Sequence, residues 1–179
     1  GGCHCGRVRY RVGSIFDAGY CHCSVCRRVH GTPVVAWIAV PEADFGLLDG
    51  APRAYRSSSH GTRHRCDDCG THLYYTDDRI PSGIGTRLVS VYLTTLDAPE
   101  RVQPRLHQWC DDRLPWFDTR DHLPRADDGT LTHPDRRDVA TDGDLERELR
   151  RLEDSHLRAE VRASPEAIRA LIDRLLERT

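Results

Sequence analysis

The chain has 179 residues, 38% hydrophobic and 30% charged, enough for one domain with an extension and a sizeable core. Its formal net charge of −2 and pI near 6.6 do not describe a general nucleic-acid binder, and its cationic residues are all arginine. No apolar run approaches the roughly 20 residues that cross a bilayer, and no signal-peptide core is present.

Cys3-His4-Cys5 comes first in the chain. Arg7 to Val12 then reads R-V-R-Y-R-V, a strict alternation that predicts a half-buried strand. A loop is expected around Cys21-His22-Cys23-Ser24-Val25-Cys26, where the thiols can face one point only if the backbone turns tightly. Val34 to Val40 is an apolar run of strand length, ended by Pro41. Phe45 to Leu48 and Ala54 to Arg56 read as short strands around an Asp49-Gly50-Ala51-Pro52 turn. Ser57 to Gly61 reads as a loop, and Thr62 to Arg65 leads extended into Cys66-Asp67-Asp68-Cys69. Gly70 suits a metal-binding knuckle, because glycine tolerates the left-handed backbone such a turn needs.

His72 to Thr76, Leu88 to Leu93 and Arg105 to Trp109 complete the strand candidates. No helix is expected before about residue 125, and the class is mainly β. Residues 126–141, rich in Asp, Arg, Thr and Gly, read as a linker. In 142–179 the period changes: Leu145, Leu149 and Leu152, then Ile168, Leu171, Ile172, Leu175 and Leu176, recur at helical spacing. Ser164-Pro165 makes a good helix start. Two amphipathic helices are expected there, packed on the β domain or on a partner chain as a homodimer.

Seven of the eight cysteines divide as four plus three, which suggests one closed zinc site and one open. Zinc takes thiolates at about 2.3 Å, and sites that do chemistry commonly use three protein ligands and keep the fourth position free. Two wholly structural sites, or one site with spare thiols, also fit the count. A redox-active pair would call for a βαβ context that the pattern lacks. Clustered thiols outside a secretory context favour metal ligation in a reducing cytosol over disulfides. Cys110 belongs to no cluster and is expected to be neither ligand nor nucleophile.

Five segments occur in register: Gly1-Gly2-Cys3-His4-Cys5-Gly6-Arg7-Val8-Arg9-Tyr10, Cys21-His22-Cys23-Ser24-Val25-Cys26-Arg27-Arg28, Arg65-Cys66-Asp67-Asp68-Cys69-Gly70-Thr71, His107-Gln108-Trp109 and Leu114-Pro115-Trp116. Together they closely resemble the glutathione-dependent formaldehyde-activating enzyme family, which includes the centromere protein V group. The resemblance spans residues 1 to about 125. It implies an Mss4-like fold of stacked antiparallel β-sheets with two zinc ions per chain. Cys3, Cys5, Cys66 and Cys69 would hold a structural zinc, and Cys21, Cys23 and Cys26 the catalytic one.

The implied activity is that of a cytoplasmic, zinc-dependent carbon–sulfur lyase. It would condense glutathione or a similar thiol with formaldehyde or a related electrophile, as an S-(hydroxymethyl)glutathione synthase does. The alternatives are a relative acting on another small thiol or electrophile, and a non-catalytic zinc-stabilised binding module of the same fold. Arg27 and Arg28 are candidates to pair with a glutathione-like ligand's carboxylates, and equally to balance thiolate charge or face solvent. His22 is expected to point away from the metal. His107 is a candidate general acid or base, or a satisfied core histidine. Family members usually carry residues before the double glycine, so a first strand is expected to be missing. The tail from about 142 lies outside the family and resembles the opening helices of ketosteroid-isomerase-like domains.

Overall fold

The computed structural model describes residues 1–81, 83–129 and 131. The expected helices of 142–179, and the linker apart from 126–129 and 131, lie outside the described residues. Within them the chain is mainly β, as expected. The strands in order are β1 (Arg9–Val12), β2 (Asp17–Cys21), β3 (Val35–Pro41), β4 (Phe45–Asp49), β5 (Arg53–Arg56), β6 (Gly61–Arg65), β7 (His72–Asp77), β8 (Leu88–Tyr92) and β9 (His107–Gln108). Among the described residues a single α-helix, α1 (Ser24–His30), lies between β2 and β3.

β1 and β4 form a two-stranded antiparallel sheet, and the others a seven-stranded sheet in the order β5-β6-β7-β8-β3-β2-β9. Every pairing in the larger sheet is antiparallel except that of β2 with β9. β3 explains why its sequence is apolar without alternation: it lies between β2 and β8 with both faces covered. Ile38 and Val40 pack with Tyr10, Leu73, Val89 and Val91, whereas Trp37 and Ala39 pack with Val25, Leu88, Leu106 and Trp109. Because successive side chains leave a strand on opposite faces, the sheet separates two cores. Cys3 and Cys66 belong to the first, and Cys21 and Cys23 to the second.

Two expectations need correction. The segment expected to be a loop around the middle cysteines is the end of β2 followed by α1, so a helix does precede residue 125. At seven residues α1 is too short for a periodic pattern to show; it is held by caps. The Cys23 Sγ accepts from the Cys26 amide at 3.2 Å, and Gly31 ends the helix at φ 63°. The strand expected over Arg105–Trp109 is also shorter, since only His107–Gln108 pair with β2.

Candidate metal and thiol site

The first cluster joins two distant parts of the chain. Cys3 and Cys5 come from the opening loop, and Cys66 and Cys69 from the turn between β6 and β7, with all four sulfurs within 4.8 Å of one another. Cys3 and Cys5 Sγ lie 3.5 Å apart, and Cys5 and Cys66 Sγ 3.8 Å apart. A tetrahedron of 2.3 Å zinc–sulfur bonds has edges of about 3.8 Å, so this donor set fits the metal. The Val8 amide donates to Cys3 Sγ at 3.2 Å, and the Thr71 hydroxyl lies 3.2 Å from Cys69 Sγ. With the Thr71 hydroxyl as the main cause, the Cys69 thiol is pulled down to about 5. Gly70 adopts φ 73°, which lets the turn fold round the sulfurs.

The second cluster is more local. Cys21 ends β2, Cys23 caps α1 and Cys26 stands in its first turn, their sulfurs again within 4.8 Å of one another. Cys23 and Cys26 push the Cys21 thiol well above its ordinary range, with burial adding to them. Three thiolates at this spacing repel unless a cation lies among them, which is the chemistry of a metal site. Among the described residues no fourth ligand joins the group.

Around this cluster lie groups that the sequence did not single out. Arg63 of β6 is buried at 6% exposure; it donates through Nη1 to Tyr92 Oη at 2.8 Å and through Nη2 to Cys26 Sγ at 3.5 Å. Burial works against its charge, but Cys26 and Tyr92 more than offset that, so its pKa is raised. An arginine in an alternating Arg-rich strand reads as solvated, so nothing local marked this one.

Arg27 and Arg28 sit on α1. Arg27 Nε donates to the His22 carbonyl at 2.9 Å, while Arg28 is exposed. At about 100° per residue, Arg28 stands about 200° round the helix from Cys26.

His22 and His107 are both fully buried at 0% exposure. His22 Nε2 lies 2.8 Å from His107 Nδ1, and His107 Nε2 lies 3.0 Å from Asp121 Oδ2. His107 therefore reaches the second cluster only through its neighbour His22. Burial pushes His22 down to about 4, with the charges of His107 and nearby arginines adding to it. Cys110 stands in neither cluster, and burial raises its thiol.

A family model described as glutathione-dependent formaldehyde-activating enzyme matches residues 1–112. The chain belongs to that family. It is also 30% identical over 128 residues to a protein of Halomonas elongata provisionally named a glutathione-dependent formaldehyde-activating enzyme. That alignment covers 66% of this chain and 78% of the relative.

Proposed function

We propose that the chain is a zinc-dependent carbon–sulfur lyase that joins the sulfur of glutathione, or of a similar small thiol, to formaldehyde or a related electrophile. The observation that carries this reading is the convergence of Cys21, Cys23 and Cys26 with no fourth ligand among the described residues, beside the buried cation of Arg63. In this reading Cys3, Cys5, Cys66 and Cys69 hold a second, structural zinc, giving two per chain. A zinc held by the three thiolates with one position open supplies Lewis acidity toward a thiol or a carbonyl oxygen.

The overall chemistry balances as the addition of an S–H across C=O. The sulfur bonds the carbonyl carbon, and the thiol proton ends on the oxygen as S-hydroxymethylglutathione. Arg63 offsets part of the negative charge of the three thiolates. Arg27 and Arg28 add positive charge that draws an anionic thiol toward α1. His107 holds His22 from behind, so we read it as a positioning residue rather than as a group that touches substrate. Among the described residues no helix is long and apolar enough to cross a membrane. The thiolate sites suit the reducing cytoplasm.

The test is turnover of glutathione and formaldehyde on zinc-loaded protein, set against the spontaneous rate. Catalysis that disappears in Cys23→Ser is the expected result. A rate no greater than the spontaneous one, on protein carrying both metals, would leave the non-catalytic binding module.

A further inference from the structure

One cleft adjoins the site described so far through Arg63. It measures about 370 Å³ and is lined by Val29, Tyr55, Arg63, Arg65, Gly70 and His72. That volume is within the range of small-molecule sites. Its lining contains two guanidinium groups and an imidazole and no carboxylate.

The sheet explains why these side chains gather. Arg63 pairs with Tyr75 and its guanidinium stands over that ring at 5.1 Å. An irregularity between His64 and Arg65 pairs Arg65 with His72 instead of with Leu73. Leu73 and Tyr74 both pack into the first core, while His72 turns toward α1, its ring 4.7 Å from that of His30.

Three buried polar atoms in this neighbourhood have no hydrogen-bond partner: Arg63 Nε, His72 Nδ1 and His30 Nε2. Buried polar groups are rarely left unpaired in a native protein, so a polar ligand is the natural partner for some of them. Arg65 is not tightly held: its Nη2 lies 3.4 Å from Asp67 Oδ1, a solvent-exposed pair, and Asp67 is also 3.4 Å from Arg53.

We propose that this cleft is a carboxylate seat, in which Arg65 and Arg63 bind a carboxylate of an anionic thiol whose sulfur lies at the Cys21, Cys23, Cys26 cluster. The proposal rests on the thiol chemistry proposed above and names the arginines that select its substrate. Arg63 connects the two places, because it lines the cleft while its Nη2 donates to Cys26 Sγ at 3.5 Å. Val29, one helical turn after Cys26, supplies the apolar wall against which the ligand's backbone would lie. A guanidinium fork suits a carboxylate better than a lysine would.

The experiment separates the seat from the sulfur chemistry by using two probes on the zinc-loaded chain. S-methylglutathione keeps both carboxylates but has a blocked sulfur; 2-mercaptoethanol has a free sulfur and no carboxylate. Binding of the first is followed by NMR shift titration and of the second by calorimetry. Arg65→Gln is compared with Arg53→Gln, which removes the same charge beside the same Asp67 but outside the cleft. The expected result is a roughly tenfold or greater loss of S-methylglutathione affinity in Arg65→Gln alone, with mercaptoethanol unchanged.

Equal loss in both variants, loss of both probes together, or no S-methylglutathione binding by the unaltered chain would overturn the seat. If S-methylglutathione binds in an Arg65-dependent manner while mercaptoethanol does not bind, the seat stands and the thiol chemistry fails.

Discussion

His107 Nδ1 and His22 Nε2 meet at 2.8 Å inside the protein, and Asp121 holds the far nitrogen of His107 at 3.0 Å. Asp121 is half-buried, and although that opposes its charge, His107, Thr119 and the Leu123 amide bring its carboxyl down to about 2. An ionised carboxylate only accepts hydrogen bonds, so His107 carries a proton on Nε2 toward Asp121. When Nδ1 of His107 carries no second proton, His22 donates to it from Nε2, which leaves Nδ1 of His22 without a proton. The chain of contacts thus bears on the tautomer of a residue lying between two cysteines that could hold a metal.

Nitrogen NMR should accordingly find His22 neutral near pH 7, with Nε2 of His107 protonated toward Asp121. Asp121→Asn removes a charge-assisted bond and should cost about 1.5–3 kcal/mol of stability, less whatever solvent already screens at this half-exposed site. It should also make the His107 tautomer a mixture. Unchanged histidine signals in that variant would mean that Asp121 does not set the tautomer.

The two clusters should differ in what their loss does. Cys66 ties the β6–β7 turn to the opening loop and is buried within the first core, so Cys66→Ser should unfold the domain on metal release. Cys23→Ser should remove the second metal yet keep the fold, because serine is itself a good helix cap at that position. Circular dichroism with metal analysis of both variants checks this, and a folded, metal-free Cys66→Ser would reverse the assignment.

Stability should fall at mildly acid pH through His30. Burial, followed by the charges of His72 and Arg63, holds His30 at about 3, so it is neutral in the fold. The unfolded chain takes up a proton near 6.5. A depressed histidine therefore contributes stability that is present above about 6.5 and lost as pH falls toward 3, at up to about 1.4 kcal/mol per pH unit. Urea midpoints of His30→Phe should be flatter than those of the unaltered chain between about pH 6.5 and 5. An equal fall in both would place the acid sensitivity elsewhere.

Cys110→Ala should leave metal content and activity near those of the unaltered chain. The thiol lies outside both converging groups, and burial disfavours its ionised form. Loss of the second metal in this variant would identify Cys110 as a fourth ligand.

Much of the fold could be read from local pattern. The alternation of Arg7 to Val12, of which Arg9–Val12 form a strand, the apolar run ending at Pro41 and the Asp49-Gly50-Ala51-Pro52 turn fall where strands and turns are seen. β2 could not be read in this way. Asp17-Ala18-Gly19-Tyr20-Cys21 has poor strand formers, and it becomes a strand because β3 and β9 pair on either side of it. α1 is likewise a product of its caps, since seven residues cannot sustain a helix alone.

For the site, cysteine spacing pointed to two groups that could hold metal ions, while the pairing of the outer clusters depended on the family resemblance. Arg63 and Asp121 were illegible for a common reason. Their partners, Cys26 and Tyr92 for the one and His107 for the other, are distant in sequence and meet only in the folded sheet.

The central claim is that one metal site is closed and the other exchanges a ligand. Cadmium NMR on cadmium-substituted protein examines both at once, since each metal gives its own resonance. Two resonances are expected, one typical of four sulfurs and one of three sulfurs with a lighter ligand. Adding glutathione should move only the second toward the four-sulfur position. A single resonance, or two that glutathione leaves unmoved, would contradict the claim.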